Sequence, residues 1–227
     1  ATRDAAEMAA AAVELHMPVS EVGEARAPGA PSLRPGGRGD GEVIDLSALW
    51  AGPYCGALLA EAGHDVIKGE SPDPPDPTPV HTPRLDARLN GAKRRRQMAF
   101  GDGELLAMIS AARVLITSAR PHALARLGFD EARLFAINPG LLWIAITAHG
   151  WRGDAAMRVG FGDDCAVAGG LLAWKGGEPR FLGDALADPL TGLAAATLAL
   201  EALAAARCGL LDVALAPTAA TFADALK

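Results

Sequence analysis

Between Val43 and Lys68 the chain changes hydrophobic period twice within one short stretch, and few folds accommodate that. Val43-Ile44-Asp45-Leu46 reads as a buried strand. After Ala51-Gly52-Pro53, residues Tyr54–Ala62 space their apolar side chains as a helix does, and Asp65-Val66-Ile67-Lys68 reads as a strand again. Pro53 suits the first turn of a helix, where its missing N–H is not needed, and Gly63 suits the residue just past the end. This is a β-α-β unit. Further strand-like runs at Arg113–Ile116, Leu142–Thr147 and Leu211–Leu215 alternate with helical patterns at Glu104–Ala111, Ala123–Leu127, Glu131–Ala136 and Thr191–Ala206. Such alternation predicts an α/β domain with a mainly parallel sheet.

The flanks read differently. Ala5–Val13 predicts a short helix that ends near Met17-Pro18, and residues 27–41 are rich in Pro and Gly and predict a linker, so the sequence divides into 1–26, 27–41 and 42–227. Gly37-Arg38-Gly39-Asp40-Gly41 superficially suggests a phosphate loop. It precedes the first strand, whereas a dinucleotide fingerprint follows a strand and opens a helix. Residues 71–83 carry six prolines and predict a long loop.

Composition excludes several classes. Leu193–Ala206 is short and interrupted by Glu201, so it reads as a buried helix and no membrane span is expected. Ala1-Thr2-Arg3-Asp4 has no basic segment leading into an apolar one, so no secretory signal is expected, and a cytoplasmic setting is the default. Cys55, Cys165 and Cys208 are odd in number and widely spaced, which speaks against a disulfide framework, and none of the five histidines has ligand-like spacing, so no metal site is expected. A net charge of −6 removes any general case for nucleic-acid binding. The basic run Lys93-Arg94-Arg95-Arg96 reads either as a solvated turn or as a receiver for a phosphorylated ligand.

The run Val43–Ser47, Trp50-Ala51-Gly52-Pro53 and Leu58–Glu70 resembles the opening of the family III CoA-transferases, the superfamily of formyl-CoA transferase and α-methylacyl-CoA racemase. Four further segments follow in the family's order: Leu89–Arg94, Val114–Gly128, Asn138–Gly150 and Ala187–Gly192. The resemblance covers residues 43–215. It implies a Rossmann-like large domain and a small domain that is largely missing here, with Ala5–Val22 faintly resembling the end of one. It also implies an interlocked homodimer or completion by a second chain.

The resemblance further implies transfer of CoA from an acyl-CoA to a carboxylic acid, with no permanently bound cofactor and CoA as part of the substrate. Asp188 matches the family's nucleophilic aspartate; read from the residues alone, an aspartate at a helix start is most commonly an N-cap. Pro189 also disfavours helical backbone at Asp188. By resemblance, CoA runs along Leu49, Trp50 and Ala51, then Ser118, Ala119 and Arg120, with Arg126 and Thr147, Ala148, His149 and Gly150 completing the groove; the basic run adds Lys93 and Arg94 as candidate contacts to its phosphates. Two other activities stay open. Racemisation needs two proton-transfer groups, and Phe161 stands where the racemases carry a histidine, leaving His149 as a substitute. A non-catalytic CoA-binding or assembly subunit is the third reading. Gly69 and Met98–Gly101 depart from the family pattern.

Overall fold

The computed structural model describes residues 4–73, 75–99 and 103–226. The readings that rest on Ala1–Arg3, Pro74, Phe100 and Gly101 fall outside them. Along the chain run α1 (Ala5–Glu14), β1 (Arg34–Pro35), β2 (Val43–Asp45), α2 (Ala51–Glu61), β3 (Val66–Glu70), α3 (Thr78–His81), α4 (Pro83–Asn90), β4 (Arg94–Gln97), α5 (Gly103–Ala111) and β5 (Val114–Thr117). They continue with α6 (Pro121–Arg126), α7 (Glu131–Ile137), β6 (Leu142–Thr147), a 3-10 turn at Gly153–Met157, α8 (Gly162–Ala168), β7 (Leu172–Lys175), β8 (Glu178–Phe181), α9 (Ala187–Ala204), β9 (Arg207–Ala214) and α10 (Leu215–Ala225). Two compact units result. One gathers the described residues up to Ala30, Thr147–Thr191 and those from Val213 on; the other holds Pro31–Ile146 and Gly192–Asp212.

The second unit is built on the expected parallel sheet, seven strands in the order β1-β9-β6-β5-β2-β3-β4. β4, β3, β2, β5 and β6 run parallel to one another, and β1 pairs antiparallel with β9. The central strands β2, β5 and β6 are buried along their whole length, as a sheet covered on both faces requires. The outer strands differ. β4, at one edge, is Arg-Arg-Arg-Gln with every residue exposed. At the other edge, Pro35 ends β1, and the amides of Gly36 and Gly37 both donate to the carbonyl of Ala206. The expected linker thus contains a docked strand. Gly37 is required there, because a Cβ would lie 2.5 Å from the Arg207 carbonyl oxygen.

Beneath α2 lies a charge pair that composition alone would place on the surface. Asp45 at the end of β2 and Lys93 just before β4 have fully buried side chains, with Nζ to Oδ2 at 2.7 Å. Lys93 Nζ also donates to the Pro53 carbonyl at 2.7 Å and to Asn90 Oδ1 at 2.9 Å. The other carboxylate oxygen of Asp45 accepts from the amide and hydroxyl of Ser47, and buried Lys68 donates to the Ser47 carbonyl. Helix α2 approaches this group through residues without side chains. A Cβ at Gly56 would come within 2.7 Å of Asp45 Oδ2, and one at Gly52 within 2.3 Å of Ser47 Cβ. Asn90 passes the network outward to Asp86, whose carboxylate accepts from Arg95, and Arg95 also reaches Glu70 at 3.0 Å.

The long proline-rich loop is shorter than the sequence suggests. Asp76 Oδ1 accepts from the amide and hydroxyl of Thr78, which starts α3, and Pro83 opens α4 at a position where no N–H is needed. Gly69, where the family has a β-branched residue, faces Leu46 and Met98. A Cβ there would lie 2.6 Å from Leu46 Cδ2 and 3.0 Å from Met98 Sδ, so those two side chains fill the space a branched residue would take.

In the first unit, α8 packs on α10 closely enough that a Cβ at Gly169 would lie 2.5 Å from Ala219 Cβ. The segment after α1 ties to the same helix: the amides of Gly23 and Ala25 donate to the carbonyls of Val167 and Ala168. β7 and β8 form a two-residue hairpin through Gly176-Gly177, both at positive φ as a type I′ turn demands. The bonds from Gly23 and Ala25 are made by backbone and leave no hydrophobic signature in the sequence. Among the described residues no helix is long and apolar enough to cross a membrane.

Burial alone would raise the Asp45 carboxyl, but the charges of Lys93 and Lys68 and the bonds from Lys93 and Ser47 outweigh it and hold the group below its ordinary range. A folded-state value below the unfolded one means stability that is complete above the unfolded pKa of about 3.9 and is lost as pH falls through the folded value. Lys93→Met, which strands Asp45 in the interior, is expected to cost about 3–5 kcal/mol. Asp45→Asn/Lys93→Met should cost less than the single change, and urea unfolding of the three proteins checks the order.

Candidate CoA and carboxylate sites

In the sheet-bearing unit the chain order reverses beside β2. β2, β3 and β4 step outward one way, and β5 and β6 step the other, so β2 and β5 are parallel neighbours with a crossover between them. The loops leaving the carboxyl ends of such a pair diverge, and the crevice between them is where open α/β sheets take their ligands. The loop after β2 carries Leu49, Trp50 and Ala51; the loop after β5 carries Ser118, Ala119 and Arg120. A hydrogen bond ties them: the Ala48 amide donates to Ser118 Oγ at 2.9 Å. Leu49 is half-exposed and holds a left-handed backbone at φ 66°, a costly conformation for a branched residue, while Ala51 starts α2 and is buried. Trp50 is the residue before α2 and Arg120 the one before α6, both partly exposed. Ala119 is exposed, and so is Arg126, in the last turn of α6.

The basic run is not brought to this crevice as free charge. Lys93 is spent on Asp45, and Arg94 lies along edge strand β4, bridged to Asp65 at 2.6 Å and Glu42 at 2.5 Å. Arg95 is bridged to Glu70 and Asp86, and Arg96 to Glu104. Consecutive residues of a strand point to opposite sides, so four cations adjacent in sequence are dispersed by the pleat.

The first unit holds the other expected residues. Thr147, buried, ends β6, and Ala148, His149 and Gly150 follow it, partly exposed. The Ala148 carbonyl accepts from the Ala216 amide at 2.9 Å and from the Cys165 thiol at 3.5 Å. Asp188 is not the N-cap of its helix. α9 begins one residue earlier at Ala187, and Pro189 falls in the first turn, where the amide it lacks would have had no helical partner. Asp188 is thus helical despite Pro189, and its carboxylate sits near the positive end of the helix dipole. The turn that presents it is pinned: Ala185 adopts φ 46°, its amide donates to Asp163 Oδ1 at 2.9 Å, and its carbonyl accepts from the Asp188 amide at 2.9 Å.

Two glycines let the loop before α8 pack closely on these groups. A Cβ at Gly162 would lie 2.2 Å from Asp188 Oδ2, and one at Gly160 would lie 2.8 Å from Cys165 Sγ and 3.0 Å from Asp164 Oδ2. Phe161 between them is 52% exposed, its amide donating to Asp164 Oδ1 at 2.6 Å. Burial, reinforced by the charges of Asp164 and Asp188, pushes the Cys165 thiol far above its ordinary range. It stays protonated and is no nucleophile. Burial also raises the Asp164 carboxyl, against hydrogen bonds from Phe161 and its own amide and the charge of Arg158. Burial and then Arg158 bring the His149 imidazole down to about 4, with Glu24 pulling the other way, so the ring is neutral at physiological pH. Arg158 is held by Glu24 at 2.6 Å. His149, Asp164 and Cys165 each bring one ligand-type atom to within 4.8 Å of the others. The sequence reading missed this group, because the three meet only when the loop after β6 folds against the first turn of α8.

The sequence pattern of CoA-transferase family III matches residues 40–225. Succinyl-CoA--D-citramalate CoA-transferase of Chloroflexus aurantiacus is 30% identical over 72% of this chain and 44% of its own length. Succinate--glutarate CoA-transferase of Agrobacterium fabrum is 31% identical over 66% of this chain and 43% of its own. The chain therefore spans less than half the length of these curated relatives. A hypothetical protein from Mycobacterium tuberculosis superposes with a TM-score of 0.74 at 24% identity, over 87% of this chain and 59% of that one, a likeness of fold.

Gly162→Ala tests the clearance around Asp188. The added methyl group meets the carboxylate and, at 2.6 Å, the backbone oxygen of Ala185, which cannot rotate away. A cost of about 1–3 kcal/mol is expected in chemical denaturation. Gly103→Ala, where a Cβ meets nothing within 4 Å, should cost no more than a few tenths on that count and serves as the control.

Proposed function

The chain belongs to CoA-transferase family III, and from that premise we propose that it takes part in moving CoA from an acyl-CoA to a carboxylic acid with Asp188 as the nucleophile. The observation that carries the reading is the setting of Asp188: a partly exposed carboxylate in the first turn of α9, one oxygen of which packs against Gly162, where no side chain fits. Such packing withdraws part of the group from water, and proximity with partial desolvation is what makes a weak carboxylate nucleophile useful.

The steps balance as follows. A carboxylate oxygen of Asp188 attacks the thioester carbonyl, the C–S bond breaks, and CoA thiolate leaves an acyl-aspartyl anhydride. The thiolate then attacks the aspartyl carbonyl of the anhydride and releases the donor acid as its carboxylate. The acceptor carboxylate attacks the resulting aspartyl thioester and expels CoA thiolate, which in turn attacks the acyl carbonyl of the new anhydride and regenerates Asp188. No proton transfer is required overall. That suits a site whose thiol is inert and whose imidazole is neutral.

The CoA moiety is assigned to the crevice between the loops after β2 and β5. Trp50 and Leu49 offer apolar surface to the pantetheine, and Ser118, Arg120 and Arg126 offer polar and cationic groups to the phosphates. Lys93 is assigned a supporting role, as the buried partner of Asp45. The acids and acyl-CoA are the partners of the reaction, and a second copy or another chain is the protein partner, a reading supported by relatives named as alpha and beta subunits of one CoA-transferase.

The test is Asp188→Asn in the full assembly, assayed with an acyl-CoA and an isotopically labelled acid. Asn keeps the size and polarity of the side chain but cannot form the anhydride, so transfer should fall by about a thousandfold or more while CoA binding is retained. An Asn variant that transfers CoA at the native rate would rule the nucleophile out. Exchange of the α-proton with solvent in place of transfer would favour racemisation, and neither reaction from the complete assembly would favour a binding subunit. Arg120→Ala/Arg126→Ala is expected to weaken CoA binding and flatten its dependence on salt, as the loss of screened charge attraction does; titration at low and high salt reads this.

A further inference from the structure

We propose that His149, Asp164 and Cys165 form a binding site for a zinc-class divalent cation beside the Asp188 carboxylate. The three come from the loop after β6 and the first turn of α8, and one imidazole nitrogen, one carboxylate oxygen and the Cys165 sulfur lie within 4.8 Å of one another. In a tetrahedral zinc site the sulfur lies about 2.3 Å and the nitrogen and oxygen about 2.0–2.2 Å from the ion, which puts the ligand atoms about 3.5 Å apart. Closing from the present separations takes a shift of about 1 Å, within reach of side-chain rotation.

The polar accounting of the site points to a ligand. His149 Nε2 is buried and has no hydrogen-bond partner, a cost that a protein interior seldom carries without reason. Asp164 is held from behind: its Oδ1 accepts from the Phe161 amide at 2.6 Å, an outer bond of the kind that fixes a ligating carboxylate. Its Oδ2 lies 4.0 Å from Cys165 Sγ. The surrounding charge favours a cation. The Cys165 sulfur feels the carboxylates of Asp164, Asp188 and Glu24 against the single guanidinium of Arg158, itself neutralised by Glu24. Gly160 packs directly against the group, since a Cβ there would touch the sulfur, Asp164 Oδ2 and Ala148 Cβ together.

The donor set selects the ion. One thiolate, one imidazole and one carboxylate suit zinc or cobalt and are wrong for magnesium or calcium, which take oxygen ligands. On binding, the thiol gives up its bond to the Ala148 carbonyl and its proton passes to solvent, so the S–metal bond replaces the S–H bond. The ion would fasten the 148–150 loop to α8.

The test uses the full chain with cobalt(II) and zinc(II) and needs no acyl-CoA, so it stands or falls apart from the transferase reading. One cobalt ion per chain, with a thiolate-to-cobalt charge-transfer band that zinc abolishes and excess magnesium does not, is the expected result. Cys165→Ala should remove the band, and His149→Gln should weaken zinc binding by more than the roughly 10–100-fold that loss of an outer partner costs. Cys55→Ala and Cys208→Ala should leave both unchanged. Absence of the band in the native chain, equal competition by magnesium, or a band that survives Cys165→Ala overturns the site. If Cys165→Ala does not fold, His149→Gln decides: unaltered zinc affinity in that variant overturns the proposal.

Discussion

The buried pair of Asp45 and Lys93 sets the terms for much of the sheet-bearing unit. Taking two charges out of water costs several kcal/mol per ion, and the cost is recovered only when every remaining polar position is satisfied. Here it is, by Ser47, Pro53 and Asn90. The requirement propagates. Asp45 ends β2, Lys93 precedes β4, Pro53 lies in α2 and Asn90 ends α4, so one polar cluster fixes the mutual placement of four elements. It also dictates composition on α2, where Gly52 and Gly56 face it one helical turn apart and leave no room for a side chain. Hydrophobic contact tolerates sliding, but a hydrogen-bonded charge pair does not. The loop after β2, which begins at Ser47, inherits that rigidity and carries it to Leu49 and Trp50.

The carboxylate site rests on a different device. Asp188 is presented by a turn whose Ala185 occupies the left-handed region, a strain of order 1–3 kcal/mol that the Asp163 hydrogen bond and the helix start together overcome. The Gly160-Phe161-Gly162 loop is the complement. Its glycines are needed because neighbouring side chains come too close, and the exposed ring between them is free to meet whatever approaches. A proton-transfer residue at Phe161 would give a different chemistry on the same frame, since a phenyl ring cannot move a proton.

How legible this was in the sequence depended on whether a feature was periodic or relational. The β-α-β unit, the parallel sheet and most helices follow from spacing and punctuation, because each is decided by neighbours in sequence. The antiparallel strand at Arg34–Pro35 was not, since two residues carry no period and its pairing is made with Cys208 and Arg207 across most of the chain. Lys93 and Arg94 read as ligand cations because a basic run in an acidic chain draws attention. Nothing local reveals that Asp45 waits for Lys93, or that Asp65 and Glu42 flank Arg94. Asp188 is singled out by resemblance alone, and its packing against Gly162, far away in sequence, follows no local pattern. The grouping of His149 with Asp164 and Cys165 likewise depends on a loop closing over about fifteen residues, and the three do not follow the paired spacing of a zinc motif.

The two margins of the seven-stranded sheet end in opposite ways with a common result. At β1, Pro35 has no amide hydrogen to offer a further strand. At β4, three consecutive arginines, each already bridged to an acid, would have to be stripped of water and partners before another backbone could align with them. Neither border is a template for strand addition. Self-association through backbone pairing, the usual hazard of an open sheet and the first step toward fibrous aggregates, is therefore discouraged at both ends. At this sheet, contacts between copies of the chain are left to side chains, on helical faces or loops, where specificity can be encoded.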